Sequence, residues 1–105
     1  MVVVRVLFPI KTDDIEAFKQ KMLATAPKYQ GLPGLTRKYY VMTDDQRQAG
    51  GIYLWETRAA AEAWYNADWV DYMTAAWGGA PMVEYLDCPI VVDNESNQTL
   101  SQVAA

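Results

Sequence analysis

The strongest constraint on the fold of this chain is an opening strand that is apolar on both of its faces. Residues 2–8 read VVVRVLF, so alternating positions place apolar side chains on both sides of the strand. Residues 81–93, PMVEYLDCPIVVD, read as a last strand with the same property. Because one layer of helices covers only one face of a sheet, the other face must also be buried. The simplest cover is a second copy of the chain, which predicts a homodimer through sheet-to-sheet packing.

A helix is predicted after the first strand. Asp13 and Glu16 have capping-box spacing, and Pro27 together with the GLPG loop at 31–34 ends the helical region. Apolar residues recur at helical spacing and predict one buried stripe. Its members are Ile15, Phe18, Met22 and Ala26.

A hairpin is predicted next, with strands at residues 35–43 and 51–56 on either side of a polar turn. Two glycines, Gly50 and Gly51, stand where the turn enters the second strand. A positive φ angle or a β-bulge is the expected reason for them.

A second helical region follows the hairpin. Thr57 is expected to cap an alanine-rich helix, and Asp68 a shorter piece that stops at Gly78. The resulting order, β-α-β-β-α-β, is that of a ferredoxin-like α+β domain. We therefore predict one domain over residues 1–93, followed by a polar tail over residues 94–105 that is either extended around a partner or disordered.

Composition removes several classes of function. The net charge of −4 offers no basic surface for nucleic acid or an anionic membrane. The chain has no histidine and one cysteine, which argues against zinc, haem and copper and excludes Ser-His-Asp and Cys-His hydrolases. No apolar run approaches a membrane span, and the start lacks the features of a secretory signal, so a cytoplasmic location is expected.

Large aromatic side chains are concentrated around the hairpin and the second helical region, and two explanations for them stay open. They form either an unusually aromatic core or the walls of a pocket for a flat organic ligand. Alternation places Lys38 and Tyr40 together on one strand face, and a buried lysine is costly unless it is paired or neutral. The candidate wall residues are Tyr53, Trp55, Trp64, Trp69 and Tyr72.

The blocks LPGLTRKYY and AGGIYLWET, in this order around the polar turn, resemble the signature of the YdhR-like monooxygenases. That family belongs to the dimeric α+β barrel superfamily, with the antibiotic biosynthesis monooxygenases. The resemblance implies two ferredoxin-like protomers whose sheets face each other, and a pocket between each sheet and its own helices. Better-characterised relatives oxygenate electron-rich phenolic substrates without metal, flavin or haem. The haem-degrading relatives need a histidine ligand that this chain lacks.

The leading functional prediction is a cofactor-independent monooxygenase of a small aromatic or quinol-like compound. Lys38 and Tyr40 are its candidate catalytic residues, because they could stabilise the substrate anion that must pass an electron to O₂. A dimer that binds such a compound without turnover is the alternative. A structural or regulatory dimer with a filled interior, and an isomerase or dehydratase on the same fold, also remain open.

Overall fold

The protein folds into one antiparallel sheet with its helices on one face. The computed structural model describes residues 1–104. The strands of the main sheet run in the order β2-β3-β1-β4. The ferredoxin-like prediction is therefore confirmed. The elements are β1 (Val2–Pro9), α1 (Ile15–Ala24), α2 (Ala26–Tyr29), β2 (Leu35–Met42), β3 (Gln48–Trp55), α3 (Arg58–Trp64), α4 (Ala67–Trp77), β4 (Met82–Asp87), β5 (Ile90–Asp93) and β6 (Gln98–Ser101).

The hydrophobic core lies between this sheet and the helices. The even-numbered residues of β1 point into it, and Val4 is fully buried. On β3 the core-facing positions are Ala49, Tyr53 and Trp55, and Trp55 is only 1% exposed. The helices contribute the predicted Phe18 and Met22, together with residues of α4. The aromatic residues of β3 therefore face the helices.

The helix ends differ from the predictions by small shifts. The cap of α1 is Asp14 instead of Asp13, and its carboxylate accepts a hydrogen bond from the backbone N–H of Ala17 at 3.0 Å. The cap of α4 is Asn66 instead of Asp68, which lies in the first turn of the helix. Thr57 caps α3 as predicted. At both helices the observed cap is the residue whose side-chain oxygen accepts a hydrogen bond from a backbone N–H three residues further on.

The helical region also continues past the predicted end at Pro27. Pro27 lies in the first turn of α2, where its missing N–H costs no hydrogen bond. This short helix carries Lys28 and Tyr29 towards the sheet, and both residues become important below.

The predicted last strand, residues 81–93, is two strands. β4 pairs with β1, whereas β5 pairs with β6 in a separate hairpin. Pro89 separates them, because it has no N–H to continue the ladder. The hairpin crosses the predicted domain end at residue 93, and a salt bridge of 3.2 Å joins Arg37 on β2 to Asp93 at its turn.

The two glycines of β3 are present for close packing, and the expected positive φ or bulge is wrong. The pairing of β1 with β3 is continuous through both residues, and neither has a positive φ. A Cβ on Gly50 would lie 1.8 Å from the backbone oxygen of Val6. A Cβ on Gly51 would lie 2.8 Å from the ring of Tyr53 and 3.0 Å from Cε of Lys38. Gly51 thus leaves the space that the Lys38 side chain occupies.

The face of the sheet that is turned away from the helices is largely apolar and partly open. Strand pairing places Val3, Ile52 and Leu54 near its centre. Tyr39 and Leu86, nearer the two edges, are 53% and 47% exposed. We call this the open sheet face. It carries the apolar side chains that the two-faced sequence pattern of β1 predicts.

We expect Gly50→Ala to lower the free energy of unfolding by about 3 kcal/mol or more, because its Cβ would collide with the backbone of β1. Gly31→Ala is the matched control, since a Cβ there meets nothing within 4 Å and the residue has a φ of +74°. That control should cost only about 1 kcal/mol for its left-handed backbone. Urea denaturation of both variants measures the difference, and equal losses would contradict the close-packing explanation.

Candidate functional site

Lys38 is enclosed by three tyrosine rings on the helix-facing side of the sheet. Strand pairing sets it opposite Tyr53. Its ammonium nitrogen lies 3.4 Å from the ring centroid of Tyr29, 4.0 Å from that of Tyr40 and 4.8 Å from that of Tyr53. Ring faces attract a cation and replace part of its lost hydration. We call these four residues the tyrosine cage.

Burial, and to a smaller extent the nearby positive charge of Lys28, lower the pKa of Lys38 from 10.5 to about 7. No salt bridge within residues 1–104 includes Lys38. Its neighbour Arg37 lies on the opposite strand face and pairs with Asp93. At neutral pH the Lys38 amine is therefore divided between the charged and the neutral form, which suits a group that accepts and returns a proton.

Tyr40 is held by a short chain of hydrogen bonds to the end of α1. The hydroxyl of Thr25 donates to the carbonyl oxygen of Met22 at 2.7 Å, which uses its only proton. In the 2.6 Å contact between the two hydroxyls, Tyr40 must then be the donor. Burial raises the pKa of Tyr40, so the phenol stays protonated. The hydroxyl proton of Tyr40 is thus committed to Thr25, and the tyrosine fixes one wall of the cage.

A narrow recess reaches the cage from the surface. Its volume of about 20 Å³ admits a water-sized group but no aromatic ring in this conformation. Its walls come from the sheet, from α1 and α2, and from α4. Of the predicted site residues, the recess brings together Lys38, Tyr40, Tyr53 and Tyr72.

A wider groove of about 250 Å³ adjoins the recess, and the two cavities share Lys28 and Tyr72. The Lys28 ammonium lies 4.1 Å from the ring centroid of Tyr72, which is 51% exposed. This groove is lined by the predicted residues Trp64 and Trp69. Their indole N–H groups are buried and have no hydrogen-bond partner among the described residues. Lys28 and Tyr72 therefore form the partition between groove and recess.

Trp55 is a core residue and lines neither cavity. Its indole N–H donates to the hydroxyl oxygen of Tyr65 at 3.0 Å, and its ring stacks near Tyr53 at a centroid distance of 6.4 Å. Trp55 therefore packs beside Tyr53 in the core, whereas the sequence predicted that it would line the pocket.

Comparison with protein-family models gives a match over residues 3–80 to the family described as "Putative mono-oxygenase ydhR". The match covers about three quarters of the chain and includes every residue of the tyrosine cage. The chain belongs to the YdhR monooxygenase family. A search of curated proteins returned no match.

Solved structures similar to this YdhR-family protein have the same fold. One is described as a putative antibiotic biosynthesis monooxygenase from Nitrosomonas europaea, with 24% identity, a TM-score of 0.64, and coverage of 84% of this chain and 98% of that one. A second, from Deinococcus radiodurans, bears the same description, with 8% identity, a TM-score of 0.67, and coverage of 89% and 97%. A third is a variant of SnoaB, a cofactor-independent oxygenase from Streptomyces nogalater, with 18% identity, a TM-score of 0.60, and coverage of 83% and 91%.

Sequence reasoning missed three residues of this YdhR-family site. Lys28 and Tyr29 lie on α2, where Pro27 was taken as a helix end, and Thr25 lies between α1 and α2. A proline in the first turn of a new helix was the available signal. Asn66, which also lines the groove, is the α4 cap, and its side-chain oxygen accepts a hydrogen bond from the N–H of Trp69 at 2.9 Å.

Two properties of the described chain concern binding partners. Within residues 1–104 no cluster of three or more His, Cys, Asp or Glu side chains could hold a metal ion. None of the helices in this part of the chain is long and apolar enough to cross a membrane.

Lys38→Met should raise the free energy of unfolding at pH 6 by about 2–4 kcal/mol, because the fold must keep an ammonium group buried there. Folded Lys38 has a pKa of about 7, whereas the ordinary pKa of a lysine is 10.5, so the wild-type penalty is complete below pH 7 and is relieved as the pH rises towards 10. The gap between variant and wild type should narrow from pH 6 to pH 9. Urea denaturation across this range measures it.

Lys19→Met is the control for that experiment, since Lys19 is exposed and pairs only with Glu16 on the surface of α1. Its stability should track the wild type at every pH. A Lys38→Met variant that is no more stable than wild type at pH 6, or whose advantage is the same at pH 9, would contradict a strained buried ammonium.

Proposed function

We propose that this protein is a cofactor-independent monooxygenase of a small aromatic or quinol-like compound. The observation that carries the proposal is the tyrosine cage: a buried lysine with a pKa of about 7, surrounded by aromatic faces and without a carboxylate partner. A buried lysine with a purely structural role is normally paired with a carboxylate. An amine kept in this state at an energetic cost has the features of a catalytic base.

Lys38 has two tasks in the proposed reaction. The neutral amine takes the proton of a ring hydroxyl, and the resulting ammonium then stabilises the substrate anion. The anion passes one electron to O₂, and the two radicals combine at a ring carbon. One oxygen atom stays on the ring carbon as a carbonyl oxygen. The hydrogen of that carbon and the hydroxyl proton, which Lys38 returns, leave with the other oxygen atom as water. The substrate supplies all the electrons, so no external reductant is needed.

The remaining residues hold the substrate and exclude water. Tyr53 and Tyr40 form cage walls, and Tyr40 acts by positioning Lys38, since its own proton is given to Thr25. Tyr72 is the movable part: turning it outward would join the 20 Å³ recess to the 250 Å³ groove, which gives room for a ring. Trp64 and Trp69 would then contact the outer part of the substrate.

The second candidate is a protein that binds such a compound without turnover, and the small closed recess favours it. A cavity that does not admit a ring in the resting state suits slow, tight capture as well as catalysis. Product formation separates the two, because only the oxygenase consumes O₂ in proportion to the substrate.

We also propose that the protein is a homodimer through the open sheet face. Tyr39, Met82 and Leu86 are exposed there, and the charged pair Arg5–Glu84 is neutralised within one chain. A covering second sheet would bury this apolar surface. The radius of gyration, 14.9 Å against about 13 Å for a compact chain of this length, indicates an elongated molecule. The β5–β6 hairpin forms a sheet separate from the main one. Its exposed Ile90 and Val92 are suited to contact the partner.

Oxygen uptake tests the proposed reaction. Metal-free protein is mixed with phenols, hydroquinones and naphthalenediols in an oxygen electrode, and the protein-free oxidation rate is subtracted. We expect at least one compound to be oxidised with one O₂ consumed per molecule. Lys38→Met should lower the rate by about 10²-fold or more, and Tyr40→Phe by less.

Tyr39→Phe is the matched control, because Tyr39 is adjacent to Lys38 and Tyr40 in sequence but lies on the open sheet face. It should keep the wild-type rate. Uptake that persists in Lys38→Met would refute the catalytic role of the lysine. Binding without uptake across the whole panel would favour the non-catalytic candidate.

For the dimer, analytical ultracentrifugation of the wild type should give the mass of two chains. Leu86→Lys should shift the equilibrium towards monomer, because it places a charge inside the apolar contact. Leu23→Lys is the control, since Leu23 is 64% exposed on α1 and away from the open sheet face. A monomeric wild type, or equal effects of the two variants, would contradict the proposed interface.

A further inference from the structure

Two lysines converge on one cavity without a counter-ion. Lys28 and Lys38 both line the recess, and the charge of Lys28 lowers the pKa of Lys38, which places the two groups within electrostatic reach. Neither belongs to any of the salt bridges formed within residues 1–104. Two positive charges in a partly buried site repel each other, which destabilises the free protein. A bound negative charge would offset this repulsion.

The other residues of the recess supply no negative charge. Its walls are apolar, aromatic or hydroxyl-bearing, and none of them is a carboxylate. The adjoining groove contains one, Asp68, which forms no ion pair with Lys28. The absence of an acidic partner contrasts with the composition of the chain, which has 13 acidic residues against 9 basic ones.

We propose that the ligand of this site enters as an aromatic oxyanion, and that Lys28 and Lys38 hold its charged oxygen between them. The proposal rests on the proposed function and narrows it to substrates that already carry a carboxylate or an ionised phenol. A phenol that arrives ionised needs only the second task of Lys38, in which the ammonium stabilises the anion. The anionic group of the ligand supplies the missing counter-ion, and the tyrosine faces pack against its aromatic ring. Lys28 is the residue that selects anions, because it stands at the partition between groove and recess.

Binding should also be coupled to protonation of Lys38. The groups that face this amine are Lys28 and the tyrosines 29, 40 and 53. An anion beside Lys38 favours its ammonium form, so a proton is taken up when the anion binds. At pH 7 the uptake should be about half a proton per ligand, since the free amine has a pKa of about 7. Affinity should therefore be highest below pH 7 and fall as the pH rises above it.

The test is isothermal titration calorimetry of the intact protein under nitrogen, with benzoate and its neutral counterpart benzamide. Ionised 2,4-dinitrophenol and neutral 1,3-dinitrobenzene form the second pair, which distinguishes a carboxylate from a phenolate. At pH 7 we expect the favoured anion to bind about tenfold or more tightly than its neutral counterpart. Repeating the titration in buffers of different ionisation enthalpy gives the number of protons taken up.

Lys28→Met should remove most of the preference for the anion, measured as the ratio of the dissociation constants of the neutral compound and the anion. Lys19→Met removes an exposed lysine on α1 and should preserve the preference. Circular dichroism melting of each variant shows that it is folded. Equal binding of anion and neutral compound, no detectable binding of either anion, or a preference that survives Lys28→Met would each overturn the proposal.

These outcomes are separate from those of the oxygenase experiment, because binding under nitrogen needs no turnover. Anion-selective binding without oxygen uptake would support the anion site and refute the proposed reaction. Oxygen uptake with neutral hydroquinones, by a protein that shows no preference for anions, would support the proposed reaction and refute the anion site.

Discussion

The buried ammonium of Lys38 is the constraint on which the rest of the site depends. A lysine at this depth loses most of its hydration, and three tyrosine rings replace only part of it. The surrounding chain is arranged to accept this cost. Gly51 leaves the space for the lysine stem, Thr25 fixes Tyr40, and α2 brings Tyr29 over the amine. Together these contacts hold a buried amine that has no carboxylate partner.

The two faces of the sheet differ in what they carry. The helix-facing side carries both the core and the cage, so the site is built on rigid strands and its geometry is well defined. The open sheet face carries apolar residues that a single domain leaves exposed. Adjacent residues of β2 take opposite roles for this reason: Arg37 pairs with Asp93 outside, while Lys38 points inward without a partner.

Much of the fold could be predicted from the sequence, because alternation in β1 and the element order leave few topologies. The sharing of one strand face by Lys38 and Tyr40, and by Tyr53 and Trp55, followed from the two-residue period alone. The sequence could not predict how deeply each aromatic side chain is buried, because burial depends on how the helices pack on the sheet. Trp55 lies in the core, and Tyr72 lies at the partition between groove and recess. It also misjudged Pro27, so Lys28 and Tyr29 were missed. Gly50 and Gly51 were explained by φ, although long-range contacts with β1, Tyr53 and Lys38 determine them.

The most direct test of this account is the titration of Lys38 by nuclear magnetic resonance, with lysine labelled by ¹³C at Cε and the signal assigned through Lys38→Met. We expect the Lys38 signal to titrate with a midpoint at a pH of about 7, well below the midpoints of the other lysine signals. A midpoint above 10, as for an exposed lysine, would show that the amine is hydrated or paired in solution. In that case the tyrosine cage would be ordinary packing, and the catalytic and anion-binding proposals would lose their basis.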